Sequence, residues 1–211
     1  MNRKALFVAL TIAAIAVMSS PQARSQEKND VGLVIGGTVT PNRSFSSGGS
    51  DASFNSSLAL GAEYDHRFFG RDGVGIYGGI DFLASPLDVK LSNPPSDVIG
   101  QYAYLFITPH VRVKFNPQGR FSPWLLLGGG YARFLEKRPV ADPAFVPGTN
   151  TGAVEFGGGI DTRAVLHVWK FPIGFRVEVR DFYSGSPNYN QPLNGNQQNN
   201  VVFTGGLLLK F

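Results

Sequence analysis

The chain has 211 residues, 26 glycines, no cysteine and a formal net charge of +4. That length admits one ordinary domain or one barrel, and the missing cysteine excludes disulfides, thiolate metal sites and a lipidated thiol. Arg3, Lys4 and Arg24 lie in residues 1–25, which contain no acid; removing that segment leaves +1, too little for a basic nucleic-acid surface.

The N-terminal stretch "MNRKALFVALTIAAIAVMSSPQARSQ" has the three parts of a secretory signal. Arg3 and Lys4 give the positive start, Ala5 to Val17 the apolar run, and Ala23-Arg24-Ser25 the small residues for cleavage before Gln26. As a helix the apolar run would rise only ~20 Å, short of the ~30 Å hydrocarbon core. The predicted organisation is a signal peptide over 1–25 and one domain over 26–211. No later run is long enough for a membrane helix.

Beyond Asp30 the period is two, not 3.6. Eight strands are predicted, over 31–40, 57–69, 74–83, 102–115, 123–135, 151–164, 171–184 and 200–211. Most have ten or more residues, against a usual five or six. Ten tilted residues cover roughly 24 Å, about one hydrocarbon thickness.

One face of each strand is apolar and the other carries charge. In 57–69, Leu58, Leu60, Ala62 and Tyr64 oppose Glu63, Asp65 and Arg67. Asp81 and Arg133 are assigned to the charged face of 74–83 and 123–135. In 102–115, Leu105, Ile107, Val111 and Val113 oppose His110, Arg112 and Lys114. In 151–164, Val154, Phe156 and Ile160 oppose Glu155, Asp161 and Arg163. In 171–184, Phe171, Ile173, Phe175, Val177 and Val179 oppose Arg176, Glu178 and Arg180. In 200–211, Phe203, Leu207, Leu209 and Phe211 oppose Thr204 and Lys210.

A soluble sheet would turn the charges outward. In a small membrane barrel lipid is the apolar solvent, and the charges meet in the lumen. The set assigned there comprises Glu63, Asp65, Asp81, Glu155, Asp161 and Glu178 against Arg67, Arg112, Lys114, Arg133, Arg163, Arg176, Arg180 and Lys210. That near balance suits a closed interior where charges pair. Mid-strand glycines are expected to make room for lumen side chains. Trp124, Trp169, Phe171, Tyr102 and Tyr104, near strand ends, are expected to form interfacial girdles.

Long, polar connections alternate with short ones such as "GRDG" and "NPQGRFS". Long loops on one side and short turns on the other form the bacterial outer-membrane pattern, with both termini on the periplasmic side. The signal, the eight strands, "PWLLLGGGYARF" and the closing "LLLKF" resemble the small outer-membrane β-barrel proteins of the OmpA/OmpX type. This resemblance implies an all-β, eight-stranded antiparallel up-and-down transmembrane barrel in the bacterial outer membrane. It also implies an assembly signal on Phe203, Leu207, Leu209 and Phe211, read by the barrel-assembly machinery. The partners it implies are outer-membrane lipid, that machinery and an extracellular ligand of the loops, with the barrel a monomer and nucleic acid excluded.

Catalytic motifs are missing from the sequence. His66, His110 and His167 lack metal-ligand spacing, and there is no P-loop or G-x-S-x-G. Ser57 and Ser184 lie on strands without a neighbouring histidine. His110 reads as a buried structural residue. No catalytic residue, cofactor or metal is therefore expected. The leading reading is a structural or interaction barrel with a filled lumen, since eight strands leave an interior that side chains fill. A narrow channel for small solutes, a lipid-modifying enzyme and a soluble calyx are the alternatives.

Overall fold

The computed structural model describes residues 28–44, 51–71, 73–86, 89–92, 101–137, 148–163, 165–168, 171–189 and 196–211. The predicted signal segment and Trp169 lie outside the described residues. The strands are β1 (Asn29–Val39), β2 (Arg43–Ser44), β3 (Asp51–Phe54), β4 (Ser57–Arg71), β5 (Val74–Ala84), β6 (Val89–Ser92), β7 (Gln101–Phe115), β8 (Phe121–Lys137), β9 (Thr149–Thr162), β10 (Leu166–Val168), β11 (Phe171–Gly185) and β12 (Gln197–Lys210).

The eight long strands match the eight predicted ones. They pair antiparallel in the ring β7-β5-β4-β1-β12-β11-β9-β8, and β8 pairs back to β7. Strand β1 meets β12 from Asp30↔Lys210 to Val39↔Val201. Phe211 extends that ladder: its N–H donates to Asn29 O at 2.9 Å, and its carbonyl accepts from Asn29 N–H at 2.8 Å. Closure pairs the backbone of the first and last long strands, which an open sheet would leave exposed.

Period two then decides the faces. Along β7, Tyr102, Tyr104, Phe106, Thr108, His110, Arg112 and Lys114 all point inward and are buried. The outward set includes Leu33, Ile35, Leu125, Leu127, Val154, Phe156, Ile160, Phe175, Val177, Val179, Phe203 and Leu207, all exposed. These side chains come from successive strands and form an apolar belt around the wall. Monomers in water rarely expose contiguous apolar patches beyond a few hundred Å².

The girdle prediction needs correction. Trp124, Tyr102 and Tyr104 are buried in the lumen, because their parity places them opposite the outward leucines and isoleucine. Among the described residues, the exposed aromatics toward the short-turn end include Tyr64, Phe68, Phe69, Phe115 and Phe121, with Tyr131 and Tyr183 toward the other end. Phe68 is the extra residue of a bulge between Arg67 and Phe69. Its ring lies where a Cβ on outward Gly78 would stand, 2.2 Å away, so an aromatic covers a bare glycine.

Some mid-strand glycines make room for lumen side chains as expected: a Cβ on Gly159 would stand 2.6 Å from the Trp124 ring, and one on Gly157 2.7 Å from the Arg180 side chain. Others admit only backbone. A Cβ on Gly206 would stand 2.0 Å from the Leu33 carbonyl, and one on Gly36 would fall 1.8 Å from the Phe203 carbonyl. At these two positions the crowding partner is the backbone of the neighbouring strand, as tight curvature requires. Gly206→Ala is expected to destabilise the barrel by about 1–3 kcal/mol through forced backbone shift. Gly129→Ala, where the nearest atom is 3.7 Å away, is expected to be neutral within ~0.5 kcal/mol. Urea unfolding of the two variants in one detergent checks the contrast; equal costs would refute it.

The connections hold more structure than their composition suggests. β2 pairs β3, β3 pairs β6, and β6 pairs β7, so three short strands continue the wall at the long-connection end. At the short-turn end, β9 stops at Thr162, and β10 folds against β11 from Leu166↔Ile173 to Val168↔Phe171. The shorter turns are set by backbone chemistry: Gly73 and Asn116 take positive φ, which glycine and asparagine tolerate. Asn116 N–H donates to Gly73 O at 2.7 Å and ties the two neighbouring turns together.

Candidate functional site: the lumen

Inward residues of all eight long strands meet in layers along the barrel axis. Nearest the short turns, Lys114 holds Asp30 and lies 2.6 Å from Asp161. Its ammonium also sits over the Tyr77 ring at 4.7 Å. Asp30 was not among the predicted charges, because it falls just before the predicted first strand; the register puts it inside.

The next layer surrounds Trp124. Its indole N–H donates to Asp161 Oδ1 at 2.9 Å, so the buried ring keeps its polar end satisfied. Arg112 stacks on the ring at 4.2 Å and Arg176 at 5.1 Å, a doubled cation–π contact. Arg176 grips Asp161 bidentately at 2.7 and 2.8 Å, the strong planar geometry of a guanidinium and a carboxylate. Both arginines also bond Glu63, Arg112 at 3.0 Å, and Arg112 bonds Asp65.

Above this lie His110, Asp81, Glu155, Glu178 and Arg180. Arg180 lies 3.0 Å from Asp81 and from Glu155, 2.7 Å from Glu178 and 3.1 Å from Glu63. His110 Nε2 is 2.8 Å from Asp65 Oδ1. Thr108 bonds Glu155, and Thr204 bonds Glu178 at 2.6 Å. Glu63 thus receives Arg112, Arg176 and Arg180 from two sides of the barrel and forms the hub of the network.

The predicted lumen set divides as follows. Glu63, Asp65, Asp81, Arg112, Lys114, Glu155, Asp161, Arg176, Glu178, Arg180 and Lys210 are buried on the inner face. Arg67 is half-buried near the short turns. Arg133 and Arg163 are exposed, contrary to the prediction. Arg133 shares its parity with outward Leu125, Leu127 and Tyr131; inward Ala132 and Phe134 flank it. Arg163 lies beyond the last residue of β9, where alternation has ended. The structure also corrects the near balance. Among the described residues, eight buried acids (the six above, Asp30 and Glu136) face five buried bases, Arg112, Lys114, Arg176, Arg180 and Lys210, with His110 beside them.

The upper lumen is aromatic, which charge counting did not reveal. Phe106 stacks on Phe182 at 4.6 Å, and Tyr104, Phe134 and Tyr102 continue the cluster. Tyr189, from the connection between β11 and β12, folds into the mouth, its ring 6.0 Å from both Tyr102 and Phe54. Its hydroxyl donates to Gln198 Oε1 at 2.9 Å, and Gln198 Nε2 donates to Tyr102 at 2.9 Å. The lumen is therefore filled by ion pairs below and rings above.

The remaining chemical candidates do not meet. His66 Nδ1 lies 2.8 Å from Asn29 Oδ1 at the short-turn end, while Ser57 Oγ lies 2.8 Å from Ser85 Oγ at the other. His167 is described only through its backbone pairing with Pro172.

No family model matches the chain, and no curated protein matches it in sequence. Solved structures do match. The Neisserial surface protein NspA aligns over 87% of this chain and 97% of its own, at 15% identity and a TM-score of 0.54. The outer-membrane protein OprG from Pseudomonas aeruginosa aligns over 90% and 99%, at 15% identity and 0.49. The outer-membrane enzyme PagL aligns over 86% and 98%, at 14% identity and 0.45. The likeness to NspA is one of fold, and it agrees with the pairing order on its own terms: this chain has the eight-stranded antiparallel barrel architecture of small outer-membrane proteins.

Proposed function

We propose that the chain is an exported outer-membrane barrel with a structural or interaction role, carried out through its long extracellular connections. The supporting observation is the pairing of an outward apolar belt with a lumen filled by buried charges and rings. Lipid satisfies the belt, and no water column is needed to satisfy the charges. The short turns then face the periplasm, and so do both termini. A non-enzymatic role is favoured because the contacts of His66 and His110 run to Asn29, Asp65 and Asp81, away from Ser57. Outer-membrane fractionation with heat-modifiable gel mobility tests the location; recovery in the soluble fraction would refute it.

The filled lumen argues against a solute channel. In planar bilayers the wild-type barrel is expected to show no stable conductance. Replacing Tyr102 and Tyr189 together by alanine removes two rings of the mouth and is expected to raise leakage. A large, stable wild-type conductance would make the protein a pore instead.

Phe203, Leu207, Leu209 and Phe211 form the outward row of the closing strand, two exposed and two half-buried. We assign them the assembly signal that the resemblance implies. Phe211→Ala is expected to lower membrane yield in cells several-fold, while costing only ~1 kcal/mol once the barrel is folded, since a rim aromatic is partly wet. Refolding in detergent measures the second quantity. Equal loss in both assays would leave Phe211 a simple structural contact.

A further inference from the structure

Asp81, His110 and Glu155 converge from β5, β7 and β9, and each offers a ligand atom within 4.8 Å of the other two. Their supports differ from those of the surrounding ion pairs. Asp65 lies behind His110 at Nε2, so an Nε2–H donating to it leaves the Nδ1 lone pair facing the cluster, 3.0 Å from Asp81 Oδ2. A carboxylate behind an imidazole is the usual second partner of a metal-bound histidine. The Thr108 hydroxyl likewise fixes Glu155.

Asp81 Oδ1 is buried without a hydrogen-bond partner, Asp81 Oδ2 has only the ion-pair contacts of Arg180 Nη1 and His110 Nδ1 at 3.0 Å each, and Asp81 and His110 are 1% and 5% exposed. Buried polar groups left in this way are costly and call for a partner. Charge points the same way. With His110 neutral, the eight buried acids of the described residues, Glu136 among them, outnumber the five buried bases, an excess of negative charge that a bound cation would reduce.

We propose that Asp81, His110 and Glu155 bind one divalent transition-metal cation of the zinc class, through one imidazole nitrogen and two carboxylate oxygens, with a fourth position for water. A nitrogen and oxygen set without sulfur suits such ions. Arg180 Nη1 lies 3.0 Å from Asp81 and from Glu155. Binding therefore shifts the guanidinium toward Glu63 and Glu178, which Nη2 already reaches at 3.1 and 2.7 Å. The rival arrangement is an imidazolium on His110 that bridges Asp65 and Asp81 without metal.

The test refolds the full barrel into detergent from metal-stripped urea, with Co²⁺ as the spectroscopic probe and Zn²⁺ as its competitor, followed by gel filtration. The expected result is one Co²⁺ per folded chain, with visible absorption that Zn²⁺ removes. Asp65→Asn is expected to weaken retention ~10–100-fold, and His110→Gln to abolish it. Because a lumen substitution can block folding, the wild-type barrel decides independently. Folded wild-type protein that retains no Co²⁺ overturns the proposal, as does undiminished retention by folded His110→Gln. Nitrogen NMR showing a doubly protonated His110 in the metal-loaded barrel would also overturn it.

Discussion

Glu63→Ala is expected to destabilise the folded barrel by about 3–5 kcal/mol, the range for removing one partner from a buried ion pair. The side chain is 3% exposed and accepts from Arg112, Arg176 and Arg180. Each arginine keeps another acid: Asp65 for Arg112, Asp161 for Arg176, and Glu178 for Arg180. What is lost is the single group that neutralises all three where they approach one another. Glu63→Gln keeps the shape and an acceptor oxygen, so it should cost less, about 1.5–3 kcal/mol for a charged hydrogen bond. Reversible urea unfolding in thin lipid vesicles, followed by tryptophan fluorescence, measures both. An alanine cost below ~1 kcal/mol would mean that water screens the network, and the lumen would then be wet enough to reopen the channel reading.

Val177→Arg is expected to cost about 2–4 kcal/mol, the range for a basic residue at the bilayer midplane of a barrel wall. Val177 is 67% exposed and lies near the middle of β11, opposite Gly205 and Ile160. One residue earlier, Arg176 is fully buried and paired with Asp161. The same side chain is thus required at 176 and costly at 177, and the only difference is the face of the strand. Unfolding in vesicles gives the number, and the same variant in a short-chain detergent gives a control with a thinner apolar layer. A cost below ~0.5 kcal/mol in vesicles would show that this face does not meet hydrocarbon.

The strands and their faces were legible in the sequence because both follow from a period of two, a local property. Val177 and Arg176 could be assigned to opposite faces from their own neighbours. Charge type was a poorer guide than parity: Arg133 was drawn inward by its charge, yet it shares the outward phase of Leu125 and Leu127. Trp124 was drawn to a girdle by its position near a strand end, yet its parity places it under Arg112.

The sequence by itself therefore determined the eight staves, their alternation and the apolar side of each. The tertiary structure alone decided which charges meet. Glu63 and Arg176 are 113 positions apart, and their contact depends on register and curvature around the closed ring, which no local pattern encodes. The same reason hid Asp81, His110 and Glu155, whose three strands bring them together only after closure. It also hid the upper plug, where Tyr189 leaves a polar connection to pack on Tyr102. A periodic pattern fixes the direction of each side chain, but partners across a lumen are fixed only when the last strand pairs with the first.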